Sequence, residues 1–237
     1  MPTVLLPGMD ETGLLFDAFA RRLAPRLDPR VVAFPTDVSL TYDELLQRID
    51  VPTQPFAIVA ESFSGPLGIR LANRFADRVR GLVLVASFLR APSRLESWMS
   101  AVAPLLFRLP PPSFALRWAL LGPDATTDEV TTVRSAIARV RPDVLAGRLR
   151  AIAGVDAEND FAASSVPTLY IAGAHDRLVG PDALAQLKTI RADLETRALP
   201  APHLVLQRRP AEAANVVTEF LLPKFDSVAP ASLLTGS

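Results

Sequence analysis

"PFAIVAESFSGPLGIRLANRFA" (Pro55–Ala76) decides how the rest of the chain is read. Its first part, "PFAIVAE", has the length and composition of a buried strand. Its last part, running on to Val79 as "GPLGIRLANRFADRV", has helical periodicity. Between them "AESFSG" (Ala60–Gly65) turns the chain sharply, with small residues around one serine. Ser62 is therefore a nucleophile on a strained turn, or a turn serine capping the next helix. The hexapeptide alone leaves both roles open.

Reading outward, the same alternation recurs. "TVLLPG" (Thr3–Gly8), "RVVAFP" (Arg30–Pro35) and "GLVLVAS" (Gly81–Ser87) are short apolar runs and read as strands. "LLFDAFARRLAP" and "TYDELLQRI" read as helices, the second capped by Thr41. Strands alternating with helices predict a parallel sheet covered on both faces. The rhythm then stops. From Phe88 to about Ser164 the pattern is helical throughout: "LESWMSAVAPLLFRL", "SFALRWALLG", "TDEVTTVRSAIARV" and "PDVLAGRLRAIAG". Thr127 is the expected cap of the third segment, and Pro142 suits the start of the fourth.

Strand–helix alternation resumes at "PTLYIAGAHD" (Pro167–Asp176), followed by "PDALAQLKTI", "LETRALPAPH" and "PAEAANVVTEFLLPKF". The expected organisation is an α/β core from residues 1–87 and 165–225, with a helical insertion at 88–164. Residues 226–237 form an expected loose tail. An insertion after the fourth strand belongs above the carboxyl edge of the sheet, where open α/β sheets bind ligands.

Composition narrows the chemistry. The chain has 237 residues, 49% of them apolar, with 25 basic and 25 acidic side chains. That balance offers no basic field for nucleic acid. The absence of cysteine excludes thiol nucleophiles, disulfides and thiolate metal sites. With only two histidines, a multi-histidine metal centre is not expected. No apolar run approaches the roughly 20 residues that span a bilayer. The apolar opening is too short for a signal peptide, so a cytoplasmic protein is expected.

A serine nucleophile needs a base, and only His175 and His203 are available. His203 follows the last expected strand. Asp176 closes the strand before it. His175 adjoins Asp176, so its side chain should point elsewhere.

In this setting the Ser62 turn resembles the nucleophile turn of the α/β-hydrolase family, G-x-S-x-G, with Ala60 and Ser64 replacing both glycines. The order serine, acid, histidine also matches that family. "GAHDRLVGP" is similar to its G-x-x-D-x-x-V-P segment, with Gly173, Asp176 and Val179 in register and Gly180 before Pro181. The resemblance implies Ser62 as nucleophile, His203 as base and Asp176 as the group orienting it, with no cofactor. It also implies an oxyanion hole from the backbone N–H groups of Phe63 and Met9, the latter in "LPGMDETG". Asp10 and Glu11 read as turn residues there. Family sheets commonly begin with two further antiparallel strands. A shortened, mostly parallel sheet of about six strands is therefore expected.

The helical insertion resembles the lid of small bacterial carboxylesterases and pimeloyl-carrier-protein methyl ester esterases. Trp98, Met99, Phe107, Phe114 and Trp118 are its candidates for an apolar acyl pocket, although packing on the sheet would also use them. Arg134, Arg139, Arg141, Arg148 and Arg150 form either a solvated face or a dock for an acidic acyl carrier protein. The implied activity is hydrolysis of a small-molecule carboxylic ester. A thioesterase, a carrier-protein esterase, a lyase or a silent binder on the same fold remain the alternatives.

Overall fold

The computed structural model describes residues 1–10, 12–92 and 111–226. Six strands lie in it: β1 (Pro2–Leu6), β2 (Asp28–Val31), β3 (Phe56–Glu61), β4 (Val79–Val85), β5 (Thr168–Gly173) and β6 (Glu195–Leu199). They form one sheet in the order β2-β1-β3-β4-β5-β6. Every neighbouring pair is parallel.

Alternation along the central strands builds two cores. Val4, Leu6, Ile58, Ala60, Leu82, Leu84 and Tyr170 face one layer of helices: Tyr42–Gln47, Gly65–Arg74, Glu158–Ala163 and Pro181–Ile190. Leu5, Ala57, Val59, Val83, Val85 and Ile171 face the other layer, Asp17–Leu23 and Pro210–Asp226. Burial on both faces explains why these strands read as continuous apolar runs. The edge strands differ. β2 reads "DPRV" and β6 reads "ETRAL", and both are largely exposed. Charges and a proline on an edge discourage pairing with another sheet.

Helix ends follow local chemistry. Thr41 and Glu44 close a reciprocal capping box at Tyr42–Gln47. Thr126 and Glu129 do the same for the helix Thr127–Ala138. The cap is thus Thr126 and not Thr127, because only Thr126 stands three residues before an acid that can reach back. The helix after Ser62 ends at Arg74, and Val79 already belongs to β4.

Between β4 and β5 lie the helical stretches Ser113–Leu121, Thr127–Ala138 and Pro142–Gly154. The segment meets its own return at an isolated bridge between Arg90 and Asp156, and Ala157 N–H donates to Leu89 O at 3.0 Å. Helix Glu158–Ala163, expected with the insertion, lies past this neck. Its Phe161 belongs to the core beside the sheet, and Asp160 pairs with Arg70 at 2.9 Å. Among the described residues no helix is long and apolar enough to cross a membrane. The expected tail lies outside the described residues, Asp226 excepted.

The chain leaves β1 towards β2 on one side, then returns to place β3 on the other. The carboxyl ends of β1 and β3 therefore flank a topological switch point, where such sheets leave a crevice. Gly8 and Ser62 stand at those two ends.

Candidate active site

Ser62 begins the turn that follows β3, with φ 51°, a left-handed conformation that costs a non-glycine residue energy. Four contacts hold the turn there. The chain kinks again at Ala86, φ 46°, and Ser87 Oγ–H donates to Ser62 O at 2.7 Å. Gly65 makes room for Ser87, since a Cβ there would stand 1.7 Å from Ser87 Oγ. Ser64 Oγ–H donates to Pro7 O, tying the turn to the loop after β1. Tyr42 OH donates to Phe63 O at 2.9 Å and stacks on the Phe63 ring at 4.8 Å.

Ser62 Oγ lies 2.9 Å from His203 Nε2. His203 Nδ1 lies 2.8 Å from Asp176 Oδ2, and both side chains are buried. Asp176 Oδ1 accepts from the backbone N–H groups of Leu178 and Val179 at 2.8 and 3.0 Å. The carboxylate is therefore fixed by its own loop, with one oxygen left for the imidazole. Burial pulls the His203 pKa down. The Asp176 charge and hydrogen bond outweigh this, aided by the Glu61 charge, and leave it above the usual histidine value. His175 is exposed, its backbone N–H engaged by Ala201 O at 2.9 Å.

Met9 and Gly8 line the same cavity as Ser62 and His203. A Cβ on Gly8 would stand 4.0 Å from Ser62 Cβ, so the turn after β1 passes close to the serine. Phe63, which follows Ser62, is buried beneath it. Asp10 closes a turn by accepting from Thr12 N–H and Oγ–H, at 3.2 and 2.6 Å. Burial raises its pKa, offset in part by those bonds and by the Arg148 charge.

The cavity above Ser62 has a volume of about 120 Å³. Its wall is mostly apolar, and Leu120, Val133, Ile137, Leu149 and Ile152 bring the helical insertion into it. Phe114 and Trp118 do not line it. They are 75% and 45% exposed, and Arg177 lies over the Trp118 ring. The backbone widens into a π-turn at Arg117–Leu121. Leu120 lines the cavity from this segment, and Leu121 is buried beside it. Trp98, Met99 and Phe107 lie outside the described residues.

Two further residues bear on the site. Arg148 is buried, and its Nη1 donates to Met9 O at 2.9 Å and Asp10 O at 3.2 Å, while Nη2 donates to Pro35 O at 2.9 Å. It cannot belong to an exposed docking face. Arg141 pairs with Asp143, and Arg134 holds Pro111 O and Ser113 Oγ. The signal for Arg148 is its spacing with Val144, Leu145 and Ile152, which puts it on the buried stripe of its helix. Glu61, also buried, lines the cavity directly before Ser62. An acid closing an otherwise apolar strand was its signal.

Comparison with known proteins bears on the fold and the family. No curated protein matches the sequence. Among solved structures, a thermophilic esterase from Thermogutta terrifontis superposes with a TM-score of 0.77 at 19% identity, over 94% of this chain and 90% of that one. A structure from a study of Nitrososphaera gargenis carboxylesterases gives 0.78 at 14% identity, over 96% and 92%. The enol-lactonase of Burkholderia xenovorans LB400 gives 0.72 at 19% identity, over 93% and 90%. These likenesses are of fold. Residues 3–216 match the sequence profile described as the Alpha/beta hydrolase family, nearly the whole of the chain. The chain belongs to the alpha/beta hydrolase family.

Proposed function

We propose that this protein is a serine hydrolase that cleaves carboxylic esters through an acyl-enzyme. The observation that carries the reading is the unbroken line from Ser62 Oγ to His203 Nε2 and from His203 Nδ1 to Asp176 Oδ2, at 2.9 and 2.8 Å. His203 takes the Ser62 proton as Oγ attacks the acyl carbonyl. The backbone N–H groups of Met9 and Phe63 stabilise the oxyanion. His203 returns the proton to the leaving alcohol. It then activates water, which releases the acid by the reverse sequence. Asp176 holds the imidazole in the tautomer this requires and offsets its transient charge.

The helical insertion acts as a lid, and its apolar side chains favour an apolar acyl group over Ser62. An esterase and a lactonase share this fold, which is in keeping with an ester substrate. Any dock for an acyl carrier protein would rest on the exposed Arg139 and Arg150, since Arg148 is engaged internally.

The test is a panel of aryl esters of rising acyl length, with Ser62→Ala as control. Turnover that Ser62→Ala abolishes, with fluorophosphonate labelling of Ser62, is the expected result. Turnover surviving Ser62→Ala would sink the mechanism. Absence of both turnover and labelling would leave a lyase or a binding protein on this fold.

A further inference from the structure

Glu61 is the last residue of β3, directly before Ser62. Gln207 lies in the short helix Val205–Arg208, just after His203. Gln207 Nε2 donates to Glu61 Oε2 at 3.0 Å. The other oxygen of each group, Glu61 Oε1 and Gln207 Oε1, is buried and has no hydrogen-bond partner. Two side chains that share one bond thus leave one acceptor each without a donor. Buried orphans of this kind are rare, and two on one bonded pair have a common solution. A carboxylic acid is a donor through its O–H and an acceptor through its carbonyl oxygen, and it matches a primary amide in a ring of two hydrogen bonds.

We infer that Glu61 and Gln207 form a neutral carboxylic acid–amide pair, in which Glu61 holds a proton on Oε1 and donates it to Gln207 Oε1, and that this pair braces the Ser62 turn against the His203 segment. Burial raises the Glu61 pKa to about 7, against the opposing effects of Gln207, the His203 charge and the nearby Leu206 N–H, and with Asp10 adding to the rise. Arg148 faces Asp10 and tempers its charge. Below about pH 7, Glu61 is accordingly uncharged. The pair joins residues 146 positions apart in sequence, one on each side of the Ser62–His203 contact. Neutrality also keeps a fixed negative charge away from the place where an oxyanion forms. The positioning role rests on the serine-hydrolase reading; the protonation does not.

The deciding experiment uses the intact protein without substrate. Infrared spectra recorded through about pH 7 should lose a protonated-carboxyl band as pH rises, and Glu61→Gln should lack that band. No Glu61-dependent band would overturn the pair, whether or not the protein hydrolyses esters. Kinetics on an aryl ester test the brace. Glu61→Gln keeps two hydrogen bonds to Gln207 and should retain about ten times the kcat of Glu61→Leu, with similar KM. Its acid limb should coincide with that of the wild type, because below about pH 7 neither Glu61 nor its amide replacement carries a charge that acts on His203. Equal loss in both variants would refute the positioning role, and an acid limb moved to lower pH in Glu61→Gln would show a charged Glu61 and overturn the neutral pair.

Discussion

The Ala60 methyl occupies the space that a side chain on Gly68 would need: a Cβ there would stand 2.7 Å from Ala60 Cβ. Ala60 takes the place of the glycine two residues before the nucleophile in G-x-S-x-G. The turn tolerates it because the helix behind supplies the missing room from its own glycine. Ser64, replacing the second glycine, is accommodated differently. It is fully buried and its hydroxyl donates to Pro7 O. Gly65, one residue on, then carries the close approach to Ser87.

A double-mutant cycle follows. Gly68→Ala should destabilise the protein by about 1–3 kcal/mol through overpacking, despite the helix propensity gained. In an Ala60→Gly background the same change should be neutral or stabilising. Urea unfolding of the four proteins measures the coupling. Additive effects would show that the two positions do not share one space.

Asp176→Asn should leave the fold intact and lower kcat by about 10⁴-fold, since the amide favours the wrong imidazole tautomer. The Asp176 charge also raises the His203 pKa. Without it, the acid limb of kcat/KM should move to lower pH. A pH–rate profile of the residual activity checks both the direction and the loss.

Arg148→Met removes the donor shared by Met9 O, Asp10 O and Pro35 O. Leaving those carbonyls without it should cost about 2–4 kcal/mol of stability. The loop carrying the Met9 N–H would also loosen, and kcat should fall about tenfold or more while KM changes little. A variant as destabilised but catalytically normal would confine Arg148 to a structural role.

Ser62, Asp176 and His203 could be singled out because each follows an apolar run, and because their order resembles that of the α/β-hydrolase family. The six-stranded sheet was legible for the same reason. Glu61 and Arg148 carried only half a signal. Their charges fall on stripes that must be buried, but their partners, Gln207 for one and the Met9 carbonyl for the other, come from distant segments that no local pattern connects. Trp118 was a candidate on its size and apolar ring alone, and side-chain type does not say which way a side chain faces: it is 45% exposed, with Arg177 over its ring. The helix Glu158–Ala163 carries Phe161 into the core beside the sheet, a placement set by contacts with distant segments such as Arg70.

The raised Glu61 pKa has a consequence for stability. Its value is 4.5 when free and about 7 in the fold. Between these values the folded state holds a proton that the unfolded chain has lost, so stability falls as pH rises through the window. The total is about 3 kcal/mol. Glu61→Gln removes this slope. The stability of the variant relative to wild type, from urea unfolding, should therefore increase from below pH 4.5 to above about pH 7. A difference independent of pH would mean that Glu61 is not the group titrating.

The cavity wall should set acyl length. Each methylene buried is worth about 0.8 kcal/mol, or roughly fourfold in kcat/KM, until the space above Ser62 is filled. Ile137 lines that space from the helix Thr127–Ala138 and is only partly buried, so it can be enlarged without breaking the core. Ile137→Trp should move the plateau to shorter acyl chains, and Ile137→Ala to longer ones, with kcat on the shortest ester little affected. Aryl esters of increasing chain length provide the measurement. If both variants keep the wild-type profile, the acyl chain runs elsewhere and the insertion does not bound it.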